Sequence, residues 1–166
     1  MRAFLACLVL LVAGCGFQPM YAPSGGGAAI GPVNVSQIEG KAGHVLKTEL
    51  DRILAVENSG TPPMQLDITL QESVARLGIR LDESATRAEI RLIAHYVLTP
   101  SNGQPALRGS VNAIVNYDIP TAAFGEIAAQ DDARERAAET MAQRFRTELA
   151  IRLAELRSGR LPATTR

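Results

Sequence analysis

Tryptophan is absent from this chain, and three Tyr and four Phe are its only aromatic residues in a length of 166. Stacking on bases or sugar rings needs such side chains, so a lectin and a single-strand nucleic-acid binder are both disfavoured. No run of five Lys or Arg occurs, and 17 basic residues balance 17 acidic ones. Phosphate backbones are held by clustered cations, so no nucleic-acid partner is expected. The two histidines, His44 and His95, have no His-x-x-x-His spacing, Cys pair or acidic cluster beside them. Neither a metal nor any other cofactor is therefore expected. Ser73 and Ser110 lack the Gly-x-Ser-x-Gly setting that exposes a nucleophile. No catalytic residue is assigned, and the expectation is a protein that is not an enzyme. Apolar stretches of about 20 residues, the length that spans a bilayer as a helix, are also missing.

What is present starts at the amino terminus. Arg2 precedes the apolar stretch Ala3 to Ala13, and small residues lead to Cys15. This is the layout of a secretory signal, covering residues 1–14. The run Leu11-Val12-Ala13-Gly14-Cys15 resembles the lipobox of bacterial lipoproteins. That resemblance implies diacylglycerol on the Cys15 sulfur, cleavage after Gly14 and acylation, typically by palmitate, of the new amino terminus. The competing reading is an ordinary signal peptide with an incidental cysteine. With Cys7 removed and Cys15 alkylated, no thiol is left for a disulfide, so the core alone must stabilise the fold. Two or more acyl chains, each methylene worth roughly 0.8 kcal/mol, anchor a protein stably without its spanning the membrane. Residues 15–31, rich in Gly and Pro, read as a tether, and the Gly25-Gly26-Gly27 run has no Gly-Lys-Ser/Thr after it that would make a phosphate loop.

Residues 32–157 read as a single domain and 158–166 as a tail. Pro32 to Ile38 alternates as a short strand with Val33, Val35 and Gln37 on one face. Lys41 to Val56 repeats Val45, Leu46, Leu50, Ile53 and Leu54 at helical spacing, ending before Asn58-Ser59-Gly60 and Pro62-Pro63. Met64 to Leu70 has a period of two, as do Thr86 to Leu98 and Leu107 to Ile119, the last two joined by turn chemistry at Pro100 to Gly103. Gly125 to Arg157 is predicted as one long helix carrying Ala138, Met141, Ala142, Phe145, Leu149 and Leu153 on a stripe. Acidic residues dominate its first half and arginines its second, which suits the helix dipole. The order β-α-β-β-β-α, with one apolar face per strand, predicts an α+β two-layer sandwich: a four-stranded mixed sheet with two helices on one face. Strand parity puts Arg87, Arg91 and Arg108 together on the open face, a candidate cationic patch for lipid phosphates.

Beyond the lipobox, Cys15-Gly16-Phe17-Gln18-Pro19-Met20-Tyr21 resembles the start of the LptE family of lipopolysaccharide-assembly lipoproteins in its alphaproteobacterial form. Ala85-Thr86-Arg87 and Gln130-Asp131-Asp132-Ala133-Arg134-Glu135-Arg136-Ala137 look like the same family, while Met20 and Phe124-Gly125 depart from its commoner Leu and Tyr-Ala. The resemblance implies a periplasm-facing protein, lipid-anchored in the outer membrane, that plugs the barrel LptD, supports its assembly and helps deliver lipopolysaccharide to the cell surface. Gly16, in place of an Asp, fits outer-membrane sorting under the same resemblance. The turn from Pro100 to Pro105 is a candidate barrel contact. Two other classes remain open at this point: a structural lipoprotein of another envelope complex without lipid binding, and an envelope hydrolase.

The anchor is directly testable. Mass spectrometry of the mature chain is expected to find Cys15 acylated, and Cys15→Ala is expected to move the protein out of the detergent phase. An underivatised Cys15 would contradict the lipoprotein reading.

Overall fold

The computed structural model describes residues 30–55, 62–79 and 85–158. Cys15 and its lipobox-like run, most of the tether, the Asn58-Ser59-Gly60 stop and the tail after residue 158 lie outside these residues. The elements follow the expected order: β1 (Val33–Val35), α1 (Gly40–Leu54), β2 (Met64–Ile79), β3 (Ala85–Thr99), β4 (Leu107–Asp118) and α2 (Ala123–Arg157). They form an α+β fold with a four-stranded mixed sheet in the order β1-β2-β3-β4. β1 runs parallel to β2, and β2, β3 and β4 are successively antiparallel.

Alternation sets the two faces of the sheet. Ala88, Ile90, Leu92, Ala94, Tyr96 and Leu98 of β3 are all buried, as are Leu107, Val111, Ala113 and Tyr117 of β4. Against them α2 lays Ala133, Ala137, Met141, Phe145, Leu149 and Leu153, a stripe that keeps the helical period along the element. With 35 residues, α2 is about 52 Å long. The 16 residues of β2 span about 53 Å, so one helix runs the length of the hairpin. α1, at 15 residues, is less than half as long and buries Leu46, Leu50 and Leu54 beside α2. The two helices run in the same direction, with Lys41 3.5 Å from Asp131 near their starts and Arg52 beside Glu139 further along.

Two boundaries differ from the sequence reading. The first strand shrinks from Pro32–Ile38 to three residues, because the chain leaves the sheet after Val35 and drops Ile38 into the core. Gly43 makes room for that bend: a Cβ there would lie 2.8 Å from both the side chain and the carbonyl of Ile38. The second strand grows from Met64–Leu70 to Met64–Ile79. Past Leu70 the residues on the helix side are Glu72, Val74 and Arg76, and the two charged ones interrupt the apolar alternation. Their partners are on α2: Arg134 binds Glu72 (2.8 Å) and also Asp131, and Arg76 reaches Glu126 at 2.9 Å. Backbone pairing holds this half of the strand, with Gln71 opposite Ile93 and Leu77 opposite Arg87. The other ends move by one or two residues, the last helix starting at Ala123 and not at Gly125.

Tyr96 is the largest side chain at the centre. Its ring meets Phe145 edge-on, with centroids 5.5 Å apart, and lies over Gly109, its cross-strand partner. A Cβ at position 109 would come within 2.6 Å of the Tyr96 hydroxyl oxygen and 2.8 Å of its ring. Gly109→Ala is therefore expected to push Tyr96 off Phe145 and destabilise the fold by about 1–3 kcal/mol. Denaturant unfolding checks this, and a loss under about 0.3 kcal/mol would show that the ring has room to move.

Candidate functional site

The face of the sheet away from the helices carries the predicted arginines. Arg87, Arg91 and Arg108 all point to it, as parity required, since their neighbours Ala88, Leu92 and Leu107 are buried on the other side. They do not form one patch. Arg108 stands opposite Val97, about 33 Å along β3 from Arg87 and about 20 Å from Arg91. Arg87 donates from Nε to Asp118 Oδ1 at 3.2 Å across the β3–β4 pair, and Arg91 Nη2 sits 2.9 Å from Glu89 Oε1. Arg108 has no carboxylate partner among the described residues. Parity fixes which face a residue takes but not its distance along the strand.

Apolar residues interrupt the charges. Ile114, which is 42% exposed, lies opposite Arg91, and Ile93 and Val97 are half-buried on the same face. Toward the β1 end a shallow pocket of about 370 Å³ is lined by Ser36, Asp67, Thr69, His95 and Arg108. Ser36 donates to Asp67, and Gln65 Nε2 donates to Ser36 Oγ at 2.6 Å. His95 is the cross-strand partner of Ser110, yet no hydrogen bond joins it to Ser110 or Asp67 among the described residues. His44 lies on an exposed part of α1. No group of three His, Cys, Asp or Glu residues suited to a metal occurs among the described residues, and no described helix is long and apolar enough to cross a membrane.

A groove of about 800 Å³ lies elsewhere, between the outer edge of β4 and α2. Asn112 and Ser110 form one wall, and Thr140, Gln143, Arg144 and Thr147 the other. Arg144 Nη1 donates across it to the Asn112 carbonyl at 2.5 Å. At its lower end Glu148 accepts hydrogen bonds from Arg152 Nε at 2.9 Å and from the Tyr96 hydroxyl at 3.3 Å.

The fold has counterparts among solved structures. A candidate lipoprotein from Caulobacter crescentus CB15 is 28% identical, with a TM-score of 0.61 over 77% of this chain and 93% of that one. Rare lipoprotein B from Shewanella oneidensis is 12% identical, with a TM-score of 0.59 over 76% and 97%. A minor lipoprotein from Acinetobacter baumannii is 14% identical, with a TM-score of 0.54 over 74% and 94%. The chain shares its fold with these three lipoproteins. No family model matches the chain, and no curated protein matches it by sequence.

Sequence reasoning missed the groove, because it depends on how far α2 stands from the edge of β4, a tertiary distance with no periodic signal. The one hint was the polar set Thr140, Gln143, Arg144 and Thr147 beside the buried stripe of α2. The turn at Pro100 to Pro105 is where it was expected: Asn102 and Gln104 are exposed, Gly103 takes a left-handed φ of 76°, and Ser101 Oγ donates to the Pro62 carbonyl at 2.8 Å.

Tyr96 gives the site a measurable pH signature. Burial first, then the nearby Glu148 carboxylate, pushes its hydroxyl up to about 12. An unfolded phenol ionises near 10, so this contribution to stability is intact below about pH 10 and is lost as pH rises toward 12, by on the order of 2 kcal/mol. Tyr96→Phe is expected to fall less steeply with pH over that window, and identical slopes for the two proteins would contradict the buried, neutral hydroxyl.

Proposed function

We propose that the protein is a non-enzymatic lipopolysaccharide-assembly lipoprotein of the LptE type. In this reading, acyl chains on Cys15 hold it to the outer membrane facing the periplasm. The domain binds within the LptD barrel, supports that barrel's assembly and helps pass lipopolysaccharide to the surface. The observation that carries the reading is the Cys15-Gly16-Phe17-Gln18-Pro19-Met20-Tyr21 run directly after a lipobox-like signal, on a chain whose fold is shared by solved lipoproteins. A plug must meet a polar lumen, and a mixed surface without net charge is compatible with that.

Lipid contact is assigned to the open face of the sheet. Arg87 and Arg91 are already paired, but their side chains are 65% and 50% exposed, so a phosphate displaces Asp118 or Glu89 at small cost. Guanidinium forks grip phosphate in bidentate fashion, and Ile93 and Ile114 beside Arg91 offer apolar contact to an acyl chain. The separation of Arg108 makes it a second, independent contact.

Photo-crosslinkers at Asn102 and Gln104 are expected to capture LptD in cells. Capture of other periplasmic proteins alone would move the protein to a different envelope complex. The folded Arg87→Glu, Arg91→Glu double variant is expected to retain lipopolysaccharide about tenfold less well, near 1.4 kcal/mol. Unchanged retention would remove these residues from the lipid site.

A further inference from the structure

β4 is an edge strand, and its outer side is set by chemistry already described. In an antiparallel strand the N–H and C=O of one residue point the same way, and alternate residues point to opposite sides. The Asn112 carbonyl faces α2, where Arg144 meets it, so the backbone groups of Ser110, Asn112, Ile114 and Asn116 all face outward. Among the described residues, no other backbone group pairs with them.

Edge strands are normally guarded by charge, proline or a bulge. From Ser110 to Asn116 this edge carries none of these, while β2, which forms the opposite edge past its short pairing with β1, has Glu72 and Arg76 in ion pairs with α2. The β4 edge also opens onto the groove of about 800 Å³, whose far wall is the polar face of α2. A strand edge beside a helix-walled groove is the geometry in which extended peptides add to a sheet. Arg144 now occupies the place of an incoming N–H at Asn112, and it has no carboxylate partner among the described residues. The other charge in the groove, Glu148, is held by Arg152.

We infer that the β4 edge and the facing side of α2 form a docking groove for an extended, acidic polypeptide segment of a protein partner. The segment adds as a fifth strand. One of its N–H groups replaces Arg144 on the Asn112 carbonyl, and a carboxylate on its helix-facing side takes the released guanidinium. Side chains on its other side extend the open face next to Ile114. The edge, the groove and Arg144 suffice for such docking, whether or not the domain binds LptD.

The test uses the full mature chain in detergent and a blocked peptide of alternating Val and Asp, about seven residues long, a usual strand length. Amide exchange at Ser110, Asn112 and Ile114 is expected to slow more than about tenfold with this peptide. A Val-Lys peptide, and a Val-Asp peptide N-methylated along one edge, are expected to give no such protection. Arg144→Gln is expected to abolish the preference for Asp over Lys without altering unfolding. Equal protection by the Asp and Lys peptides, protection confined to β2, or no protection would each overturn the proposal. So would protection of this edge by anionic phospholipid vesicles but not by the peptide.

Discussion

The contact on which the rest of the molecule depends is the apolar stripe of α2 lying along β3 and β4. Phe145 and Met141 meet the centre of the sheet where Tyr96 and Leu92 are also fully buried. Truncating a buried phenylalanine typically removes about 3–5 kcal/mol, a large share of what a domain of this size retains. No disulfide among the described residues shares that burden. The length of α2 also matters, because only a helix as long as the β2–β3 hairpin reaches the part of the sheet that α1 leaves uncovered.

That uncovered part explains where apolar patterning ceased to report structure. The strands β3 and β4 were legible because every second residue, from Ala88 to Leu98 and from Leu107 to Tyr117, faces a helix and is buried, or at Gly109 and Val115 half-buried. The second half of β2 was not, because its helix-side residues Glu72 and Arg76 are satisfied by Arg134 and Glu126 of α2 and not by apolar contact. Such pairs are chosen by three-dimensional neighbours and leave no period in the sequence. Val74, between them, stays 43% exposed, which marks how thin the cover is there. Ile38 is the opposite case: its alternation put it on the wrong side, and only the bend permitted by Gly43 carries it into the core.

The candidate site was legible to a similar degree. Parity placed Arg87, Arg91 and Arg108 on the correct face, yet position along the strand separates them, and cross-strand neighbours such as Asp118 neutralise part of the charge. The resulting surface mixes arginines and carboxylates with Ile93, Val97 and Ile114, so it offers both charged and apolar contacts. The edge groove adds a second surface of different character, built from backbone groups and one arginine. With the proposed anchor at Cys15, tethering would raise the effective concentration of each surface at a neighbouring membrane protein.

The central proposal is that the protein, anchored through Cys15, acts with an outer-membrane barrel. It is tested most directly by depleting the protein in cells and measuring the amount of correctly assembled LptD, with re-expression of either the native chain or Cys15→Ala. The account predicts that assembled barrel falls on depletion and is restored fully by the native chain but only partly by Cys15→Ala. Normal barrel assembly in depleted cells would contradict it.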